Sequence, residues 1–201
     1  MDGPANRQDR ARPAAGGGTR RRGPKRATAK HLENAALHYL ERFASSAAHL
    51  RRVLMRRVER SARVHGTDRA EGAALVDDIV ARFVRSGLVD DRVYAEGRAA
   101  ALFRRGTAPR AIRAALGAKG VAAPTIEAAL GTLGDGGNPE LVAATALARR
   151  RRLGPFRPAE TRAGRRNKDL AALARAGFGY DVARRVIDAD DPDMLESMTD
   201  A

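Results

Sequence analysis

The chain has no cysteine and no tryptophan among its 201 residues, and aromatic residues make up only 4% of it. Without thiols there are no disulfides and no thiolate chemistry, which is compatible with a cytoplasmic address. So few rings argue against a single-strand binder of the stacking type, which needs exposed aromatics along a groove. Apolar runs are broken within a few residues by Arg or Asp, far short of the roughly 20 residues that span a bilayer, so a soluble protein with no membrane partner is expected. The four histidines are scattered and make no metal site. Neither a P-loop nor a Gly-x-Ser-x-Gly nucleophile motif occurs. The expectation is a protein that is not an enzyme, with no catalytic residue and no cofactor.

What is present favours helix. Apolar residues reach 43% and the chain is rich in Ala, Leu, Arg and Glu, which predicts an all-α fold with enough apolar side chains for a real core. The formal charge is +14 and is unevenly spread. Residues 1–30 hold nine basic and two acidic groups, residues 188–201 hold six acids and no base, and the part between keeps a net +13. Excess positive charge in the folded part suits a polyanionic partner, either nucleic acid or an acidic protein surface.

Residues 1–27 include Gly16-Gly17-Gly18 and Arg20-Arg21-Arg22, show no apolar periodicity, and read as a disordered basic tail. From Ala29 the apolar positions recur at helical spacing through Leu32, Ala36, Leu40 and then Leu50, Val53, Leu54, Val58, with Ser45 as a cap of the second helix. Asp68 and Glu71 open a third helix and Gly87 ends it. Asp90 or Asp91 caps a fourth, Thr107 introduces a fifth, and Asn138-Pro139 starts a seventh. Nine principal helices are predicted.

An internal repeat organises them. Aligning Gly120 with Gly177 sets Leu116 opposite Leu173, Ile126 opposite Ala183 and Leu130 opposite Ile187. The result is tandem three-helix repeats forming an elongated, curved array. The first repeat spans 28–88 with an Arg-rich insertion around Glu59 to Thr67, the second 89–136 and the third 137–190, and an acidic tail covers 191–201.

The segment Gly87-Leu88-Val89-Asp90-Asp91-Arg92-Val93-Tyr94-Ala95 is similar to a stretch of the RecX proteins. Arg105-Gly106-Thr107-Ala108-Pro109-Arg110-Ala111-Ile112, Lys119-Gly120-Val121 and Ile126 with Ala129-Leu130 follow in the family's order and spacing. Arg149 to Arg157, Lys168-Asp169-Leu170 and Ala176-Gly177-Phe178 resemble its third repeat, so the likeness covers roughly residues 29–189. The resemblance implies a right-handed helical array in the groove of the RecA–DNA filament. There it would limit filament growth, ATP hydrolysis and strand exchange in recombination, DNA repair and the SOS response. The implied partners are the RecA nucleoprotein filament and, with it, DNA; a monomer is expected.

Candidate contact residues are basic. Arg52, Arg56, Arg60 and Arg63 form one stripe on a continuous helix, either tracking phosphates or carboxylates or serving as a solvated face. Arg149, Arg150, Arg151 and Arg152 either favour the negative end of their helix or contact DNA or an acidic groove, and Arg165, Arg166 and Lys168 extend that patch. Arg104 and Arg105 complete the set. Tyr94 reads as core rather than as a stacking platform, and the Asp77-Asp78 and Asp90-Asp91 pairs read as solvated and capping residues rather than as a nuclease's metal quartet. The alternative to a filament regulator is an autonomous DNA-binding protein that uses a pair such as 107–133 as a helix-turn-helix.

Overall fold

Most of the helices begin where a side chain or a proline relieves the unpaired first-turn N–H groups, whereas those that begin at Ala159 and Tyr180 start without a side-chain cap. A computed structural model describes residues 23–134 and 137–199. Ten helices occur among the described residues: α1 (Ala29–Leu40), α2 (Ala47–His65), α3 (Arg69–Arg85), α4 (Asp91–Arg104), α5 (Pro109–Ala118), α6 (Ala123–Gly131), α7 (Pro139–Arg151), α8 (Ala159–Ala176), α9 (Tyr180–Ile187) and α10 (Pro192–Thr199). No strand is assigned to them. Thr28, Ser46, Asp68, Asp90 and Asn138 cap α1, α2, α3, α4 and α7, while α5 and α6 carry proline in their first turn.

The helices group in threes around separate cores. Leu32, Leu50, Leu54, Val58, Val76 and Ile79 fill the space between α1, α2 and α3. Ala95, Ala99, Ile112, Leu116 and Ile126 do so between α4, α5 and α6, and Leu141, Leu147, Leu173, Val186 and Ile187 between α7, α8 and α9. Each fully buried aliphatic side chain contributes about 1.5–3 kcal/mol. Phe103 packs against both the second and the third core.

The aligned glycines occupy one local structure. Gly120 (φ 80°) and Gly177 (φ 103°) both stand in the left-handed region, and the next residue's N–H returns to a buried leucine carbonyl, Val121 to Leu116 (3.3 Å) and Phe178 to Leu173 (3.2 Å). Each turn also receives the preceding repeat. A Cβ on Gly120 would stand 2.5 Å from the Ala48 Cβ, and one on Gly177 would stand 3.0 Å from Arg110 Nε and 3.5 Å from the Ala108 Cβ. The first turn of α2 thus lies on the α5–α6 turn, and the start of α5 lies on the α8–α9 turn.

Several expectations are corrected. Ser46, not Ser45, caps α2: its Oγ accepts from His49 N and donates to Lys119 O, while Ser45 Oγ donates to Ser46 O. The residue before α5 is Ala108, without a side-chain cap, so Thr107 does not open the helix. The Glu59–Thr67 insertion lengthens α2, which runs unbroken to His65 and stops at Gly66. The segment read as an acidic tail carries α10, with Leu195 fully buried in the third core. Of the basic tail, residues 1–22 lie outside the described residues. Ala27 is buried and donates its N–H to Ser61 Oγ at 2.9 Å.

Candidate functional site

The α2 stripe follows from helical periodicity. Leu50, Val53, Leu54, Val58 and Ser61 are buried on one side, leaving Arg52, Arg56, Arg60 and Arg63 exposed on another. Arg52 is partly engaged, its Nη2 donating to Ala118 O at 2.8 Å across the joint with the second repeat. The nearby carboxylates already serve other cations: Asp77 holds Arg51 and Glu59 holds Arg69. No ion pair with Arg56, Arg60 or Arg63 is formed among the described residues.

Two histidines nearby are shifted, first by burial and then by neighbouring cations. His49 is held below its ordinary pKa, first by burial and then by Lys119, Arg52 and Arg56. Burial, Arg57 and Lys25 likewise depress His31. Lys119 Nζ lies 3.3 Å from His49 Nε2, so a neutral imidazole accepts there from the ammonium. Lys119 and His49 are neighbours of the stripe that sequence reasoning missed, since 70 residues separate them and nothing local links them.

The third-repeat cluster is mixed. Arg149, Arg150 and Arg151 occupy the last turn of α7, exposed, with the Arg149 guanidinium 5.5 Å from the Phe156 ring centre. Arg152 follows with φ 54° and ψ 56°. Arg165 and Lys168 are exposed on α8. Arg166 is not an open cation: it grips both oxygens of Asp188 at 2.7 and 2.6 Å, and its guanidinium holds that carboxyl below its usual range. Burial pushes the Asp169 carboxyl up, but the bidentate Arg157 at 2.9 and 3.0 Å and the Gly154 N–H outweigh it and hold the carboxyl low. Asp169 thereby fastens the short 3-10 turn Gly154–Phe156 to α8.

Arg104 and Arg105 stand at the end of α4, which meets the third repeat. Gly106 lies on α7, where a Cβ would stand 2.5 Å from Leu147 N, so the end of α4 meets the last turns of α7. The α2 stripe belongs to the first repeat and lies apart from them, with the second repeat between.

Other candidate chemistry has other occupations. Asp90 Oδ1 accepts from the N–H groups of Arg92 and Val93, and Asp91 Oδ1 accepts from Ala47 N at 2.7 Å. Among the described residues no group of three or more His, Asp or Glu is placed to hold a metal. Tyr94 is half-buried against the second core. On α6, the second helix of the would-be helix-turn-helix, there is no Arg, Lys, Asn or Gln, and its Glu127 is gripped by Arg113 at 2.6 and 2.8 Å. Among the described residues no helix is long and apolar enough to cross a membrane.

Comparison with known proteins agrees with this architecture. Residues 90–130, spanning α4 to α6, match the family model described as RecX, second three-helix domain. The chain is 44% identical over 173 residues to the regulatory protein RecX of Myxococcus xanthus (strain DK1622), covering 84% of this chain and 92% of that one. It is 31% identical over 168 residues to the regulatory protein RecX of Agrobacterium fabrum, covering 84% and 88%. The crystal structure of RecX from Lactobacillus salivarius superposes with a TM-score of 0.54 at 20% identity, over 84% of this chain and 97% of that one, and so shares the fold. Identity at this level, over nearly the full length of the relatives, places the chain in the RecX family of regulatory proteins.

Proposed function

We propose that this chain is a non-enzymatic, cytoplasmic regulator that binds the RecA–DNA filament and restrains its growth, its ATP hydrolysis and strand exchange. The observation that carries the reading is the row of Arg56, Arg60 and Arg63 on α2, exposed and without carboxylate partners among the described residues, on a chain that belongs to a family of regulators. Such a row favours a polyanionic or acidic surface, and a second cationic cluster around Arg150 and Arg151 extends the contact to another repeat. The same groups give DNA a weaker, filament-associated place among the partners.

The autonomous helix-turn-helix reading finds less support. Recognition of base edges needs donors such as Arg, Asn or Gln at the start of the helix that enters the groove, and α6 begins Ala123-Pro124-Thr125. The test is RecA-dependent ATP hydrolysis on single-stranded DNA, titrated with the full chain. Inhibition at substoichiometric amounts is expected. Unchanged hydrolysis, together with sequence-specific duplex binding in the absence of RecA, would refute the proposal.

A further inference from the structure

The two joints between repeats are built differently on one side. At the second joint the turn after α4 sits directly on α7 through Gly106, with no room for a Cβ. At the first joint the corresponding turn after α1 stands off α4 and leaves an open cleft of about 990 Å³. Eight large apolar side chains are exposed among the described residues, and four of them, Leu37, Phe43, Leu88 and Val93, line this one cleft. Phe43 is 52% and Val93 57% exposed, a concentration that water opposes.

The rim has a definite sign. Arg42, Arg98 and Lys119 border the cleft, and none of them is ion-paired among the described residues. Of its two acids, Asp90 accepts the first N–H groups of α4 and Glu41 stands exposed beside the His38 imidazole, so cations outnumber carboxylates on the rim. An apolar floor with a net cationic rim, on which Arg42 lies 5.7 Å from the Phe43 ring centre and Lys119 meets His49, is complementary to a segment carrying leucine or aromatic side chains on one side and carboxylates on the other. A nucleic acid would satisfy the rim but leave the leucine and valine side chains of the floor wet.

We propose that the cleft between the turn after α1 and α4 is a docking site for a short acidic, apolar peptide segment of a partner protein, separate from the arginine surface. The cleft makes no use of the recombinase reading, and its test contains no recombinase, so either can fail without the other.

The experiment pans a phage-displayed library of short random peptides on the immobilised full chain. Fluorescence anisotropy then measures the enriched peptides on the wild type, on Phe43→Ala/Val93→Ser and on Arg42→Glu/Arg98→Glu. The expected peptides combine Asp or Glu with Leu or Phe, and either double variant weakens them by about tenfold or more. Phe43 and Val93 are exposed, so their variant keeps the fold, as circular dichroism would verify, even if the charge-reversed one does not. Four results overturn the proposal: no peptide is enriched, the enriched peptides are basic or uncharged, they bind both variants as tightly as the wild type, or oligo(dT) displaces them and itself loses affinity in Phe43→Ala/Val93→Ser. Sedimentation showing a dimer that the same variant dissolves would assign the cleft to self-association and likewise overturn it.

Discussion

Arg152 is the one non-glycine residue with positive φ among those described, and the equivalent turn after α4 uses glycine. Both turns close alike, with Thr107 N donating to Leu102 O at 3.1 Å and Leu153 N to Ala148 O at 2.9 Å. A side chain in that region costs about 1–2 kcal/mol. Arg152→Gly should therefore raise unfolding free energy by about 1 kcal/mol in urea titrations. If the arginine also serves the contact surface, the same variant should inhibit RecA less well, so stability and activity would move in opposite directions. Equal inhibition by the stabilised variant would remove Arg152 from that surface.

Asp169 gives the residue-scale prediction for pH. Its folded pKa lies below the ordinary carboxylate value, so in acid the unfolded chain binds more protons. The stability it contributes is complete above the unfolded value near 3.9 and is lost as pH falls through the lower, folded one. Asp169→Asn should remove that part of the acid limb. It should also cost about 3 kcal/mol at neutral pH, because Arg157 keeps its charge in a mostly buried place without its partner. A melt series from pH 7 down to pH 2 on both proteins would show it.

At the scale of elements, periodicity and capping chemistry made α1 to α9 legible, and the errors have local causes. Ser45 and Ser46 are equivalent cap candidates in the sequence, and the choice is made by Lys119 O, 73 residues away. The α10 helix was hidden by composition: its acids suggested a solvated tail, although Asp191-Pro192 is the same kind of start signal as Asn138-Pro139. Asp191 Oδ1 accepts from Met194 N at 2.7 Å. Eight residues do not hold a helix in water, so α10 depends on Leu195 in the third core. Leu195→Ala should destabilise the protein by about 2–4 kcal/mol, whereas a true tail residue would change nothing in the same thermal melts.

Across the whole molecule, which arginines are exposed was readable from spacing, but which of them are engaged was not. Arg166 meets Asp188 from 22 residues away, and Arg52 meets Ala118 from 66. Charge reversal to Glu is therefore most informative at Arg56, Arg60 and Arg63, and separately at Arg150 and Arg151. Each set should preserve helicity by circular dichroism and weaken inhibition of RecA ATP hydrolysis, with the combination weakening it most. Intact inhibition by a folded combined variant would move the contact surface elsewhere. Removal of the basic N-terminal segment should stop at residue 22, because His65 Nε2 lies 2.6 Å from Pro24 O and Ala27 belongs to the first core. That truncation should reduce the salt dependence of free-DNA binding and leave inhibition largely intact.

The glycine turns that receive α2 and α5 have a geometrical corollary. The start of a second helix meets the following unit's glycine turn in both joints, while the turns after α1 and α4 meet their neighbours differently. The α2 arginines lie on a second helix and Arg150 and Arg151 end a first one, so the two cationic sets are not copies of each other under the repeat. A partner that meets both sets therefore meets two different surfaces, not one surface twice.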